Sequence, residues 1–165
     1  MHTEPAGDDD LDACETLWLA ALAARDGHEP AAGTAERFRT KARAQRVALR
    51  ALREASGDGG ADPRLLGFGL VTAPGTGYPT DPPDAAYLAL LAVDPAEQGR
   101  GGGGRLLDDL TDDARAAGHD RLVLHVLQEN GGAVALYRSR GWAPWGAPLA
   151  HALTGQATQT FVLGA

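Results

Sequence analysis

One cysteine, Cys14, stands among 165 residues, so no disulfide framework can staple this chain. It falls on an apolar helical stripe with Leu11, Leu17, Trp18 and Leu22 and is expected to be buried. Lysine is as scarce: Lys41 is the only one, in a chain rich in Ala, Gly and Arg, a trait of codon usage in GC-rich DNA rather than of function. No stretch is both apolar and long enough to span a bilayer. The N-terminus, MHTEPAGDDD, has no apolar segment and does not read as a signal peptide. An excess of positive charge is missing too. The net charge of −7 and pI of about 5.1 argue against nucleic acid as a partner and fit attraction of cationic amines. No internal repeat or composition break divides the chain, so residues 1–165 read as a single domain.

What is present in quantity is glycine, concentrated after a short apolar run. Leu88 to Val93 reads as a buried strand, ended by Asp94-Pro95. A loop with glycine at 99 and at 101 to 104 follows. Beyond it Leu106, Leu107, Leu110, Ala114 and Ala117 share one helical face, and Gly118 suits the C-cap. Strand, glycine loop and helix together make an anion site. Glycines let backbone N–H groups turn inward, and the helix adds its unpaired N–H groups and positive dipole end. A pyrophosphate is the natural guest. The stretch Gly99-x-Gly101-x-x-Gly104 also spells the dinucleotide fingerprint. Against that, Asp94 to Gln98 separate strand from glycine, and no acidic residue ends a second strand about 20 residues later. A P-loop is excluded, because no Gly-Lys-Ser/Thr follows.

A second segment lies about thirty residues on. Arg121 to Leu127 reads as another buried strand, and Asn130 is a good N-cap. From it Ala133, Val134, Tyr137 and Gly141 lie at helical spacing on one face. Gln98, Gly101 and Gly103 with Arg100, followed by Asn130-x-x-Ala133-x-x-Leu136-Tyr137-x-x-x-Gly141-Trp142, resemble the donor site of the GNAT superfamily of acyl-CoA-dependent N-acetyltransferases. The resemblance is specific over roughly 87 to 142. It departs at Gly102, where the family has an aliphatic residue, which predicts a looser loop at a cost of roughly 1 kcal/mol.

The resemblance implies an α/β (α+β) fold: a mixed, mostly antiparallel central sheet flanked by about four helices, with splayed central strands forming the acyl-CoA cleft. The order along the chain is the GNAT order less its first strand, since residues 1–8 show no apolar alternation. That strand is expected to be short or absent. Asp10 to Ala24 reads as the first helix, and Thr34 as the cap of the second. Residues 35–54 are ambiguous by propensity, and the family order makes Arg46 to Glu54 a strand. Gly57 to Pro63 reads as a connector, Leu65 to Val71 as a strand, 74–84 as a loop and Thr158 to Leu163 as the last strand.

For function, the resemblance implies acetyl-CoA as cosubstrate, no metal, a cytoplasmic location, and an amine-bearing small molecule or peptide as acceptor. Neither nucleic acid nor membrane is expected as a partner, and a homodimer is an option because relatives often form one. The donor would be held by the backbone of Leu91, Ala92 and Val93, by Gln98, Gly99, Arg100, Gly101, Gly102, Gly103, Gly104 and Arg105, and by Asn130 and Ala133. Tyr137 would protonate the departing thiolate. Many relatives carry a glutamate base on the strand where this chain has Tyr87 and Ala89. His125 is the best substitute by chemistry, with Glu54, Glu129 and His151 as further options. Alternation puts His125 on the face opposite Leu122, Leu124 and Val126.

Tyr78, Asp81, Asp84, Trp145 and His151 could line an acceptor pocket, or be ordinary loop residues, which is the default. Seven basic residues between Arg37 and Arg53, uninterrupted by acid, read first as a solvated face balanced by the acidic first helix, and second as a site for an anionic partner. Two alternatives to an acetyltransferase remain at this point: a non-catalytic acyl-CoA-binding module and a nucleotide-dependent oxidoreductase.

Overall fold

The computed structural model describes residues 1–55 and 63–164; the expected connector at Gly57 to Pro63 lies almost wholly outside them. A single seven-stranded sheet runs through the chain: β1 (His2–Pro5), β2 (Arg46–Arg53), β3 (Leu65–Thr72), β4 (Ala86–Val93), β5 (Leu122–Leu127), β6 (Ala143–Ala150) and β7 (Ala157–Leu163). Their order in the sheet is β1-β2-β3-β4-β5-β7-β6. Every pairing is antiparallel except β4 with β5. Four helices cover it: α1 (Leu11–Asp26), α2 (Thr34–Arg43), α3 (Gly102–Ala116) and α4 (Gly131–Ser139). The first strand is present and four residues long, its carbonyls and amides matched to β2 rather than driven by apolar side chains.

The sheet has two apolar faces. On one, Leu107, Leu110 and Ala114 of α3 and Tyr137 of α4 pack with Leu88, Leu122, Leu124 and Val126. On the other, Cys14 of α1 and Phe38 of α2 pack with Phe68, Leu70, Tyr87, Ala89 and Val123. The β3–β4 register slips between Leu70 and Val71, whose partners are Leu90 and Leu88. Ala89 is therefore the extra residue of a bulge, a device that re-aims side chains beside a site. Tyr87 and Ala89 face α1 and α2, and so does Leu90 beyond the bulge.

Two local expectations are corrected. Thr34 is the first residue of α2 rather than its cap: Gly33 takes the cap in the left-handed region at φ 87°, and the Thr34 hydroxyl donates to Ala31 O at 2.6 Å. Gly102, Gly103 and Gly104 belong to the first turn of α3, not to the loop. Gly118 does follow the helix in left-handed geometry, at φ 90°.

Cys14 is fully buried, and burial, with Asp10 nearby, pushes its thiol up to about 12. A buried thiol held protonated is inert. Folded protein at pH 8 is expected to resist an aromatic disulfide reagent and to release one equivalent only on unfolding; labelling at the rate of a free thiol would contradict this placement.

Candidate functional site

The site begins where β4 and β5 part. They pair only at Ala86↔Leu122 and Tyr87↔Val123. Beyond that the strands diverge, and a cavity of about 590 Å³ opens between Leu88–Leu91 and Leu124–Leu127. Asn130, Ala133 and Tyr137 of the α4 segment line it, as do Trp18 and Leu22 of α1, Arg37 and Lys41 of α2, and Tyr78, Tyr87, His125 and His151. The gap in the sheet thus joins the α4 face to the α1/α2 face.

On the α4 side, Asn130 caps the helix as its sequence suggested: its Oδ1 accepts from Ala133 N at 3.2 Å. Tyr137 is buried, seated between Trp142 and Phe161 with ring centroids 6.0 and 6.5 Å away. Burial pushes its phenol up to about 12, so it stays protonated at neutral pH.

The glycine segment lies outside the cavity, at the carboxyl end of β4. Gly99 and Gly101 hold left-handed geometry at φ 79° and 84°. α3 then starts with no side-chain cap and no acidic residue in its first turn. Its first amides have no intrahelical acceptor, which leaves them for an anion. A Cβ on Gly103 would stand 3.5 Å from Val93 and 3.8 Å from Leu136, so this turn abuts both β4 and α4. Gln98 Nε2 donates to Val93 O at 3.2 Å and Arg100 pairs with Glu97 at 2.9 Å, both bracing the loop. Arg105 donates to Met1 O at 3.0 Å. The looseness expected from Gly102 is not what the packing gives. Gly102 is buried, and a Cβ there would come within 2.5 Å of Leu52 Cδ2, so a β2 side chain fills the aliphatic place. A pyrophosphate fits this turn, which offers backbone donors, two left-handed glycines and no carboxylate in the first turn of α3.

On the other side, a buried polar chain crosses the cavity wall. Lys41 Nζ donates to Tyr87 OH at 2.7 Å and to Ala89 O at 2.8 Å. Tyr87 OH lies 3.3 Å from His125 Nδ1, and His125 Nε2 lies 2.7 Å from Asp81 Oδ1. With Lys41 donating, Tyr87 can pass its own hydrogen to Nδ1, and Nε2–H then donates to Asp81. The His125 and Asp81 side chains are only 4% and 6% exposed. Tyr78 stacks on the imidazole at 4.0 Å, and its backbone N–H donates to Asp81 Oδ2 at 2.7 Å. Burial pushes the Tyr87 phenol up, beyond the ordinary tyrosine range. Burial, then the Arg37 guanidinium, brings Lys41 down to about 7.

Of the loop residues offered for an acceptor pocket, Tyr78, Asp81 and His151 belong to the cavity or its wall. Asp84 pairs instead with Arg121, and Trp145 is 42% exposed with that arginine over its ring. The other bases weighed beside His125 separate similarly: Glu129 and His151 line the cavity, whereas Glu54 lies 3.9 Å from Arg64. Sequence reasoning favoured a solvated face for the whole basic run over a site for an anionic partner, and so singled out neither Lys41 nor Arg37. Five of its members pair with acids: Arg39–Glu15, Arg43–Glu36, Arg46–Asp8, Arg50–Asp113 and Arg53 with Glu4 and Asp10. The other two turn inward. Thr34, Arg37, Phe38 and Lys41 lie at offsets of 3, 4 and 7, so one face of α2 carries two buried residues and both cations.

The acetyltransferase (GNAT) family model matches residues 16–142. The chain belongs to the GNAT acetyltransferase family. Among curated proteins it is similar to the mycothiol acetyltransferase of Beutenbergia cavernae, 48% identical over 64 residues that make up 38% of this chain and 22% of that one. It is also similar to the N-alpha-acetyltransferase RimI of Mycobacterium tuberculosis, 46% identical over 61 residues, 37% of each chain. Those matches cover well under two thirds of either relative. Among solved structures, the ribosomal-protein-S18-alanine N-acetyltransferase of Escherichia coli superposes with a TM-score of 0.70 at 22% identity, over 98% of this chain and 92% of that one. The acetyltransferase yncA of Salmonella typhimurium, solved with acetyl-CoA, gives 0.69 at 19% identity, over 99% and 93%. At these identities the likeness is one of GNAT fold. The dinucleotide reading of the glycines falls with it, because a sheet with one parallel pairing is not the doubly wound sheet such a fingerprint serves.

Proposed function

We propose that this GNAT protein transfers an acetyl group from acetyl-CoA to a primary amine of a small molecule or peptide by direct attack. The observation that carries the reading is the gap between β4 and β5, which joins the Tyr137 side of the sheet to the Tyr87–His125–Asp81 side in one cavity. Two substrates meeting there would gain most of their rate from being held together. The glycine turn at Gln98 to Arg105 would take the pyrophosphate. The backbone of Leu91 to Val93, with Asn130 and Ala133, would take the pantetheine arm.

In the proposed reaction the amine nitrogen forms its bond to the thioester carbonyl carbon, and a backbone N–H near Leu91 stabilises the oxyanion. The carbon–sulfur bond breaks and Tyr137 gives its proton to sulfur. The acceptor begins as an ammonium with a pKa of about 10 and must first lose a proton. His125 is the proposed base. Both its ring nitrogens are engaged, so the proton reaches it through the Tyr87 hydroxyl, with Asp81 holding the imidazole. The location is proposed to be cytoplasmic, where acetyl-CoA is available; no helix among the described residues is long and apolar enough to cross a membrane. A sheet drawing strands from residue 2 to residue 163 supports one domain over 1–165. A homodimer is part of the proposal only by analogy with relatives.

Calorimetric titration with acetyl-CoA, with NAD as control, tests the donor site; saturable one-site binding of acetyl-CoA alone is expected. In steady state, kcat/KM of the wild type should fall toward acid pH as the base protonates, and His125→Gln should lower the rate about 100-fold or more and flatten that limb. An unchanged profile removes His125 from the mechanism. A limb that survives in His125→Gln and moves in Lys41→Arg assigns it to Lys41 instead.

A further inference from the structure

The end of the cavity under α2 holds two cationic side chains, Arg37 and Lys41, that no carboxylate touches directly. Among the described residues, Arg37 and Lys41 have no carboxylate within ion-pair distance. Among the described residues the one polar side-chain contact of Arg37 is the Tyr78 hydroxyl, at 3.5 Å. Lys41 spends two of its three N–H groups on Tyr87 OH and Ala89 O, and the third has no partner. The acids of the cavity wall are engaged by other groups or exposed: Asp26 is held by Arg25 at 2.6 Å, Asp81 by His125, and Glu129 is exposed. The field is felt by neighbours. Burial, then Arg37, Arg25 and Lys41, hold His151 below its ordinary range.

Two half-buried cationic side chains side by side without a paired acid are costly, and an arriving anion relieves the cost and favours the charged form of Lys41. The overall charge of −7 suggested cationic acceptors, yet the Arg37 and Lys41 corner of the cavity disfavours a second ammonium. We propose that the acceptor is an amine that also carries an oxyanion, a carboxylate or a phospho group, held by the Arg37 guanidinium and the third N–H of Lys41 with its amine turned toward the β4–β5 gap. Arg37 supplies the planar fork that matches an oxyanion in two hydrogen bonds, and Lys41 adds a point charge. The apolar wall of Trp18, Leu22 and Leu153 takes the rest of the molecule. This rests on the acetyl-transfer reading, but the anion subsite makes a binding claim of its own.

The test uses free amino acids, their C-terminal amides, 2-aminoethylphosphonate and putrescine. Turnover with acetyl-CoA is measured for each, and protein saturated with coenzyme A is titrated with each by calorimetry. At least one oxyanion-bearing amine should exceed its matched amide by about tenfold or more in kcat/KM, with putrescine poorest. Arg37→Gln should raise KM for that amine by about tenfold or more, well beyond its effect on the matched amide, and be partly rescued by Arg37→Lys. Equal use of amide or putrescine, or an Arg37→Gln effect that is the same for all acceptors, overturns the proposal. Carboxylate binding that depends on Arg37 without turnover of any amine keeps the anion subsite and sinks the transferase reading. Turnover of amines with no preference for the oxyanion does the reverse.

Discussion

Tyr137→Phe should lower kcat by about 100-fold or more while the dissociation constant for acetyl-CoA moves by no more than about threefold. The change removes one hydroxyl and leaves the ring between Trp142 and Phe161, so packing is preserved. Burial that pushes the phenol up to about 12 keeps the proton on oxygen at the start of the reaction. Without it the thiolate must leave unprotonated beside the apolar cluster around Tyr137, where a bare anion is poorly solvated. The variant also separates an enzyme from a non-catalytic acyl-CoA-binding module. An acceptor-dependent rate that survives Tyr137→Phe, measured as coenzyme A released, would end the acid role; a donor affinity lost outright would show that the hydroxyl binds rather than reacts.

The stability of the wild type should rise between about pH 7 and pH 10, and Lys41→Met should remove the slope. Burial lowers Lys41 from 10.5 in the ordinary state to about 7 in the fold. The folded value is depressed, so in that window the unfolded chain binds more protons, and raising the pH favours the fold; below about 7 both states carry the charge and the penalty is complete. The ceiling is about 1.4 kcal/mol per pH unit, and about 3–5 kcal/mol over the window. Lys41→Met removes the buried charge and also strips Ala89 O and Tyr87 OH of a donor, at about 1–3 kcal/mol. The variant should therefore match or exceed the wild type in urea unfolding at pH 6 and fall behind it by pH 9.5. Parallel stability profiles for the two proteins would place Lys41 in solvent.

The proposed donor half of the site rests on signals that are local in the sequence. A strand, a glycine turn and a helix start follow each other along the chain, and Asn130, Ala133 and Tyr137 share a face by helical spacing alone. The fold followed from the same segments: β2 at Arg46 to Arg53, in a stretch whose propensities favour helix, is a strand because it pairs on both edges, with β1 and β3. The acceptor half was not legible. His125 could be placed on the α1/α2 face by alternation, but its partners come from 38 and 44 residues away in the chain. The basic run misled because five of its seven members meet acids brought in by tertiary packing, and the two that do not look the same in sequence. The clue available was the phase of Lys41 and Arg37 with Phe38 and Thr34 on α2, which marks the inward side.

The parting of β4 and β5 turns the sheet into a partition with a window. Under the proposed reading, the donor is held by β4's far end, α3 and α4, and the acceptor by α1, α2 and the 78–81 turn, with the reacting atoms alone sharing the opening. Each side can then change without rebuilding the other. Under that reading, exchanging the helical segment 11–43 for that of another family member would alter much of the wall that meets the amine and leave the coenzyme's grip intact, while Tyr78, His125 and His151 stayed in place.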